Sequence, residues 1–354
     1  MKIVSLCGFY SKGNMGDDLM QCKLGEIFSP ELCDLTIYSD CACGDIQNGL
    51  DSDKYLKSDI IVIGGGGLVN PDFWAFRDGR IEKMIASQKR VIFLNVNIYE
   101  QEVKNAVFCK QLKFLDAIWF VRDSKSKSLL KSIGVDSFLL PDIALSIPPQ
   151  DIREDSRRML IYPNYYAFAK HFTEDGNFKD TLEFMNYTSN LADFIDWMDT
   201  FGWRTSIVPA QTSRFVDDRI MGAAIYACIK NKESVNWITS PLSYVEHEKL
   251  IGESKLVISM RYHSSILAIK HGVACLDIVH HDKNRGLWED IGLSRNVVDM
   301  PFDSGRLISA AEYLAHERTE YKSKTTSYVK EALHQWDGGN IALTTIKNIL
   351  NNEV

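Results

Sequence analysis

The stretch Lys255–Gly272, KLVISMRYHSSILAIKHG, places a strand, a turn and a helix in direct succession. KLVISM is apolar enough for a buried strand, RYHSS is a polar turn, and ILAIKHG has helical spacing. Ser264 and Ser265 favour a helix start, and the final glycine favours its end. Parallel α/β sheets bind ligands where strands end, because free backbone N–H groups and the positive helix dipole point there. The stretch predicts an α/β fold with an anion site at Arg261 and His263.

Arg261 and His263 have two interpretations at this point. In one, both side chains belong to a buried network and only hold the core together. In the other, they bind an anion that must also be protonated. Charged residues in a loop at the carboxyl end of a strand favour the second interpretation.

The β/α alternation continues on both sides of this stretch and restarts after a proline-rich, charged segment, SIPPQDIREDSRR. Such composition is typical of an interdomain linker, so we expect a boundary between Ser146 and Arg158. The sequence predicts two Rossmann-like lobes with a cleft between them, an architecture that resembles B-type glycosyltransferases. The expected parts are an N-terminal lobe (1–150), a C-terminal lobe (151–330) and a C-terminal helical segment (331–354). If two substrates meet in the cleft, we place the acceptor of the transferred group on the N-terminal lobe and its donor on the C-terminal lobe.

Composition excludes several classes of protein. The net charge is −7 and no basic run occurs, so we expect no nucleic-acid partner. The apolar part of the N-terminus is too short for a signal peptide, and no apolar run approaches the roughly 20 residues that span a bilayer. We therefore expect a cytoplasmic protein. The alternative that the substrate lies at the inner face of the membrane, with the protein peripherally associated there, is left open.

The cysteines and histidines also constrain the chemistry. The eight cysteines fit free, mostly buried thiols. Cys41 and Cys43 form a C-x-C with Cys33 nearby, but no fourth ligand is close, so we predict no metal site. All eight histidines lie at or beyond His171, so a catalytic histidine must come from the second half.

The N-terminal half contributes glycine-rich turns and a pair of carboxylates. SKGNMGDD follows the first strand without matching a dinucleotide-binding or P-loop pattern. Asp17 and Asp18 open the next helix, where carboxylates stabilise the helix dipole. An equally good interpretation is that they contact sugar hydroxyls or act as a base. The run Gly64–Gly67 ends a buried strand and predicts close approach of a ligand or another backbone; a tight turn is the alternative.

Four groups of residues resemble the polysaccharide pyruvyl transferase family. They are GNMGDD, IVIGGGGL, VRDSKSKSLLKSIGV followed by LPD, and ISMRYHSSILAIKHGV followed by HHDKNRGLWEDIGL. The resemblance covers residues 1 to 293. The Arg-Leu-His of the family is Arg261-Tyr262-His263 here, and its Gly-Asp-Glu is Gly16-Asp17-Asp18. The frequent Gly-Val-Pro is Gly272-Val273-Ala274.

The resemblance implies transfer of pyruvate from phosphoenolpyruvate to two hydroxyls of a sugar, as a ketal, with release of phosphate. It implies a polysaccharide or lipid-linked oligosaccharide acceptor, and neither a metal nor a cofactor beyond phosphoenolpyruvate as co-substrate. We expect His263, Asp17 and Asp18 to be catalytic, with His263 as the general acid. Expected donor ligands are Arg261, Ser264, Ser265, Arg122, Lys283 and Arg285, and expected acceptor contacts are Asn14, Gly16, Gly65 and Gly66. Arg122 is equally an ordinary surface charge, and Lys283 and Arg285 also fit a solvated loop.

Two other functions compete. The same architecture serves glycosyltransferases that use a nucleotide sugar, although no ribose-binding glutamate or pyrophosphate loop is identifiable in the second half. The chain could also be a non-catalytic glycan-binding member of the family. The presence of both Arg261 and His263 argues against that alternative.

Overall fold

The computed structural model describes residues 1–40, 45–50, 53–149, 157–165, 168, 181–213, 216–279, 282–337 and 341–351. The Cys41–Cys43 motif, His280, His281 and most of the linker lie outside them. The chain forms two compact units. Unit 1 is Met1–Ser11, Asp17–Ile147 and Glu331–Val354, and unit 2 is Lys12–Gly16 and Pro148–Lys330. The units differ from the expected lobes in two segments: Lys12–Gly16 belongs to unit 2, and Glu331–Val354 belongs to unit 1.

Unit 1 is built on a parallel sheet. Its described strands are β1 Lys2–Cys7, β2 Cys33–Ser39, β3 Gln47–Asn48, β4 Ile60–Gly66, β5 Arg90–Val96, β6 Asp116–Val121 and β7 Phe138–Leu139. They pair in the order β3-β2-β1-β4-β5-β6-β7. The order reverses at β1 and β4, whose parallel register pairs Cys7 with Ile63. Such a reversal opens a crevice at the carboxyl ends of the strands.

The helices of unit 1 are shorter than the sequence predicts. They are α1 Met15–Ile27, α2 Arg80–Ala86, α3 Glu100–Lys104, α4 Ala106–Phe114 and α5 Ser124–Ser132. Helices α3 and α4 are separated at Asn105, whose side chain accepts from the backbone N–H of Phe108 at 3.1 Å. That hydrogen bond caps a new helix, because asparagine competes well for a helix start.

Both faces of the unit 1 sheet are covered, as a parallel sheet requires. Ile61, Ile63 and Phe93 pack on one face, and their sequence neighbours Val62 and Ile92 pack on the other. Successive side chains of a strand point to opposite faces, so an uninterrupted apolar run fills both layers. The strand prediction from SDIIVIGGGG is thereby confirmed.

Unit 2 repeats this architecture. Its described strands are β8 Arg158–Tyr162, β9 Arg204–Ile207, β10 Val235–Trp237, β11 Leu256–Ser259, β12 Ala274–Val279 and β13 Val297–Asp299. They pair in the order β10-β9-β8-β11-β12-β13, all parallel. The helices are α6 Thr181–Asp199, α7 Asp218–Cys228, α8 Tyr244–Gly252, α9 Tyr262–Lys270, α10 Asp282–Ile291 and α11 Ser304–His316. The predicted α/β class with two Rossmann-like lobes is confirmed; the cleft stays a prediction.

The C-terminal helices return to unit 1. Helix α12, Arg318–Trp336, begins in unit 2, and its last residue donates from the indole N–H to the Pro141 carbonyl at 3.0 Å. Helix α13, Ile341–Asn351, buries Ala342, Ile346 and Leu350 in the core of unit 1. Among the described residues, no helix has both the length and the apolar character that crossing a bilayer demands.

Candidate functional site

Strand β11 and helix α9 form the predicted strand–turn–helix. The strand ends at Ser259, the helix begins at Tyr262, and Arg261 occupies the position before the first helical turn. The Ser259 hydroxyl accepts from the Arg261 N–H at 3.0 Å and donates to the Arg261 carbonyl at 2.8 Å. This serine fixes the turn, so the Arg261 side chain leaves the sheet from a defined point.

Ser264 and Ser265, which were expected to start the helix and to bind the donor, lie elsewhere in it. Both are fully buried inside the first turn of α9 rather than at its start. The Ser264 hydroxyl donates to the Arg261 carbonyl at 2.7 Å, and the Ser265 hydroxyl donates to Asp277 at 2.8 Å. Their hydroxyls are used internally and are buried, so this packing gives no support to the prediction that they bind the donor, which stays a prediction.

The Arg261 guanidinium is held from two sides within unit 2. Its Nη1 donates to Gln211 Oε1 at 3.0 Å, and its Nη2 forms an ion pair with Asp218. The side chain is 13% exposed, and its Nε is buried with no hydrogen-bond partner among the described residues. A buried N–H without an acceptor is costly in a folded protein. Besides this buried Nε–H, each terminal nitrogen keeps a second N–H that Gln211 and Asp218 do not use, and these are the N–H groups left for a ligand.

Asp218 opens helix α7 and is fully buried. Besides Arg261, its carboxylate accepts from the backbone N–H groups of Tyr165 at 3.0 Å, Ala210 at 3.2 Å and Gln211 at 2.9 Å. These donors come from two separate loops that follow β8 and β9. One carboxylate thus joins two loops to the arginine of a third.

His263 lies against the segment Lys12–Gly16. A Cβ on Gly16 would overlap the His263 imidazole, so only glycine leaves room for the ring in this position. The segment is tied to unit 2 by the backbone: Met15 N–H donates to the Ala210 carbonyl at 3.0 Å, and Thr212 N–H donates to the Gly13 carbonyl at 2.9 Å. Gly16 thus belongs to unit 2 and not to the first lobe as expected, and it packs against the proposed general acid; its contact with an acceptor stays a prediction.

Asn14 lies in the same segment, Lys12–Gly16, of unit 2. Its side chain accepts from the Gly16 N–H at 3.1 Å and begins helix α1, while its backbone forms a bridge to Gln211. Its side-chain carbonyl is used as a helix cap. Asn14 thus shapes the loop that carries Gly16, and its expected contact with an acceptor stays a prediction.

Helix α10 carries the two other predicted cations of unit 2. Lys283 is half-buried, with its Nζ 6.0 Å from the centre of the Tyr262 ring. Arg285 is paired with the exposed Asp299. Lys283 lies next to the turn of α9, whereas Arg285 is already neutralised by a carboxylate at the surface.

Asp277 on β12 connects the starts of α9 and α10. Its fully buried carboxylate accepts from Ser265, from the Asn284 amide at 2.9 and 3.0 Å, and from the Trp288 indole at 3.1 Å. Burial raises the pKa of Asp277 to about 6, although these hydrogen bonds oppose the shift. The residue holds both helix N-termini against the sheet.

In unit 1, Arg122 is buried in a network of polar side chains. Its side chain is 1% exposed, pairs with the buried Asp142 at 2.7 Å and donates from Nε to Asn97 at 2.6 Å. Asn97 in turn donates to Asp123. The arginine of VRD and the aspartate of LPD are thus partners in one buried network that joins the ends of β5, β6 and β7. This arrangement does not favour donor binding by Arg122, which stays a prediction.

The glycine run at the end of β4 is packed by side chains of unit 1. Gly65 and Gly66 have φ values of 79° and 85°, which favour glycine. A side chain on Gly65 would overlap Met20, and one on Gly64 would overlap Leu24. The close contacts at Gly64 and Gly65 are made by side chains, including Met20 and Leu24 of helix α1, and not by the ligand or backbone that the sequence predicted. The expected acceptor contact of Gly65 and Gly66 finds no support in this packing.

Asp17 and Asp18 lie in the first turn of α1 and are both half-buried. Asp18 Oδ1 is buried and has no hydrogen-bond partner among the described residues. Burial raises the pKa of Asp18 above its ordinary value, and a backbone hydrogen bond from Ser11 opposes this. A carboxylate whose burial outweighs its hydrogen bonds is a stronger base than a solvated one.

Gln211, Asp218 and Asp277 were not predicted. Asp217 and Asp218 open α7 just as Asp17 and Asp18 open α1. This repeated acidic pair is the one feature of the sequence that could have pointed to Asp218. Among the described residues, no three His, Cys, Asp or Glu side chains come together as a potential metal site.

Solved structures share the fold. S. aureus MnaA in its structure with UDP has a TM-score of 0.65 at 10% identity, over 99% of this chain and 97% of that one. The Neisseria meningitidis UDP-GlcNAc 2-epimerase bound to UDP-GlcNAc has 0.57 at 11%, over 99% and 100%. Sucrose-phosphate synthase from Thermosynechococcus elongatus has 0.57 at 9%, over 100% and 99%. These similarities confirm the predicted B-type glycosyltransferase-like fold class and show the fold alone.

Sequence comparison gives the family. No curated protein matches the chain. The family described as polysaccharide pyruvyl transferase matches residues 14–282, most of the chain, from the loop of Asn14 to the start of α10. The matched region contains Gly16, Arg261 and His263, which the structure brings together. The chain belongs to the polysaccharide pyruvyl transferase family.

Proposed function

We propose that the protein transfers the pyruvyl unit of phosphoenolpyruvate to two hydroxyls of a sugar, giving a pyruvate ketal and phosphate. The observation that carries the proposal is the pairing of Arg261 and His263 around the first turn of α9, where Arg261 keeps an unused N–H. An arginine with spare donors and a histidine suit a substrate that is both anionic and in need of a proton.

Donor binding follows from the charges. Phosphoenolpyruvate carries a carboxylate and a phosphate, which match the planar fork of Arg261. The N-terminus of α9 adds the positive end of the helix dipole. Lys283 is the next cation along this face, near Tyr262. Arg122 is left out of the donor site because Asp142 already holds it.

The reaction balances in two steps. A sugar hydroxyl adds to the carbon that carries the phosphate, while His263 gives a proton to the methylene carbon, which becomes a methyl group. The hydroxyl proton passes to a base. A second hydroxyl then attacks the same carbon, the carbon–oxygen bond to phosphate breaks, and the second hydroxyl proton leaves with the phosphate or to the base.

Asp18 is the proposed base, with Asp17 beside it. Its desolvated, unpaired oxygen suits acceptance of a proton from a hydroxyl. Carboxylates also accept hydrogen bonds from sugar hydroxyls, whereas they repel a phosphate. We therefore assign these two residues to the acceptor, a sugar of a cell-surface polysaccharide or of its lipid-linked precursor, met in the cytoplasm or at the inner face of the membrane.

The test is release of phosphate from phosphoenolpyruvate, with free and lipid-linked glycosides offered as acceptors and the product mass recorded. We expect release that depends on an acceptor, and solvent deuterium in the new methyl group. Calorimetry with phosphoenolpyruvate and with UDP-sugars provides the contrast. Binding of a UDP-sugar but not of phosphoenolpyruvate would replace this proposal with glycosyl transfer.

A further inference from the structure

We propose that Asp218 is the positioning residue for Arg261, with Gln211 as its second anchor. Asp218 would not touch the donor; it would fix the plane and direction of the guanidinium that does. The inference rests on the proposed function, because it takes Arg261 as the donor ligand.

Asp218 is suited to this task because it is itself immobile. Its side chain is fully buried, and three backbone N–H groups, from Tyr165, Ala210 and Gln211, hold its two oxygens. Hydrogen bonds to a carboxylate are about twice as strong as neutral ones, and three of them leave little rotational freedom. The carboxylate is therefore a fixed point to which the flexible arginine is attached.

The two contacts of Arg261 determine which N–H groups stay available. A guanidinium has five N–H donors in one plane. Asp218 engages Nη2 and Gln211 engages Nη1, while the buried Nε has no partner among the described residues. Each terminal nitrogen keeps a second N–H, and the side chain is 13% exposed, so an anion can meet Nη groups whose direction Asp218 and Gln211 already fix. Pre-organisation of this kind lowers the entropic cost of binding.

Charge alone leads to the opposite expectation. A carboxylate paired with Arg261 reduces the positive charge seen by an incoming phosphate. If neutralisation were the main effect of Asp218, its removal would tighten donor binding. If orientation is the main effect, removal weakens binding, since the loose guanidinium must be ordered again at each encounter. Whether removal of Asp218 tightens or weakens donor binding therefore decides between neutralisation and orientation.

The experiment compares Asp218→Asn with Asp217→Asn. The neighbouring Asp217 is also at the start of α7 but pairs with Arg219, so it is a matched control. In Asp218→Asn we expect the Kd and KM for phosphoenolpyruvate to rise about ten- to hundredfold, the range for one hydrogen bond to a charged group. The kcat should fall by a smaller factor. Asp217→Asn should stay within about twofold of wild type in all three constants, as expected away from the site.

A double-mutant cycle with Arg261→Lys tests whether the two residues act as one unit. Lysine keeps the charge but loses the fork. We expect Asp218→Asn to add almost nothing to the loss caused by Arg261→Lys, because the fork is already absent. Additive losses would overturn the proposal, as would unchanged or tighter donor binding in a folded Asp218→Asn.

One readout does not depend on the donor. In protein with ¹⁵N-labelled arginine, the Nε–H resonance that disappears in Arg261→Lys belongs to Arg261. We expect it to be protected from exchange in wild type and to lose protection in Asp218→Asn; unchanged protection would overturn the anchoring. If wild type binds no phosphoenolpyruvate, the proposed function fails, while this resonance still tests the anchor.

A second variant serves if Asp218→Asn does not fold. Gln211→Met removes the side-chain acceptor for Arg261 Nη1 and keeps the backbone N–H of residue 211, which donates to Asp218. We expect a weaker loss of donor affinity, about three- to tenfold, as for one neutral acceptor. Donor affinity equal to wild type in folded Gln211→Met, with an unchanged Nε–H resonance, would contradict the role of anchoring.

Discussion

At the scale of single residues, two of the side chains proposed to take part in the reaction have buried atoms whose hydrogen bonds are incomplete. Asp18 has a buried oxygen without a partner, and Arg261 has a buried N–H without one, among the residues that the structure describes. Ser264, Ser265 and Arg122 are equally buried but fully engaged. Unmet hydrogen-bonding capacity is thus a property that Asp18 and Arg261 share, although buried polar atoms of Ser137, Trp237 and Asn284 have it too.

Asp18→Asn should lower turnover and raise stability at once. Burial raises the pKa of Asp18, so the folded protein keeps this proton to a higher pH than the unfolded chain does. The associated stability is present at low pH and is lost as pH rises through the raised pKa. We expect the Asp18→Asn variant to resist urea better than wild type at pH 7, with the difference vanishing near pH 3. Donor binding should be unchanged. Equal stability at pH 7 would refute the desolvation of Asp18.

His263→Gln should separate binding from chemistry. Glutamine retains a polar side chain near the donor but has no proton to give, so phosphoenolpyruvate affinity should stay within a few-fold. Turnover should fall by roughly 10²–10⁴, the usual contribution of a general acid. Calorimetry and phosphate release measure the two effects. Near wild-type turnover, or loss of donor binding with the fold intact, would remove His263 from this role.

At the scale of elements, the loop before α1 and the first turn of α9 depend on one another. Gly16→Ala adds a methyl group where the His263 imidazole lies, so the ring must move. We expect at least a tenfold loss of turnover with donor affinity nearly preserved, since a displaced general acid loses most of its contribution. Stability should change little, because alanine suits a helix better than glycine does.

Gly25→Ala is the matched control for this prediction. Gly25 lies in the same helix, and a Cβ there meets no atom within 4 Å. The substitution should stabilise the protein by up to about 1 kcal/mol and leave turnover unchanged. Full activity in Gly16→Ala would show that the ring position next to Gly16 is not the one used in the reaction.

At the scale of the whole molecule, stability should fall in mild acid because of His247. Its imidazole is buried beside the Tyr162 hydroxyl at 3.1 Å, and burial lowers its pKa to about 4, although Glu246 opposes the shift. The unfolded chain takes up this proton near pH 6.5 and the folded chain does not. The stability contributed by neutral His247 is therefore complete above pH 6.5 and is lost between pH 6.5 and 4.

His247→Gln should reduce that pH dependence. We expect the drop in unfolding free energy between pH 7 and 4.5 to shrink by about 2–3 kcal/mol, measured by urea titration of tryptophan fluorescence. His316→Gln, at an exposed position in unit 2, is the control and should leave the drop unchanged. An identical pH profile in both variants would show that His247 does not stay neutral in the folded protein.

The sequence by itself determined the two parallel sheets, the strand–turn–helix at Lys255–Gly272 and the family, because these depend on local apolar patterning and on residues close together in the chain. Only the tertiary structure decided which charges are available. Arg122 meets Asp142 and Arg261 meets Asp218 through contacts that join distant segments. Gly65 is closed by Met20, and Gly16 packs with unit 2 against His263. Whether a charged side chain is engaged or available is set by these long-range partners, which local sequence does not encode.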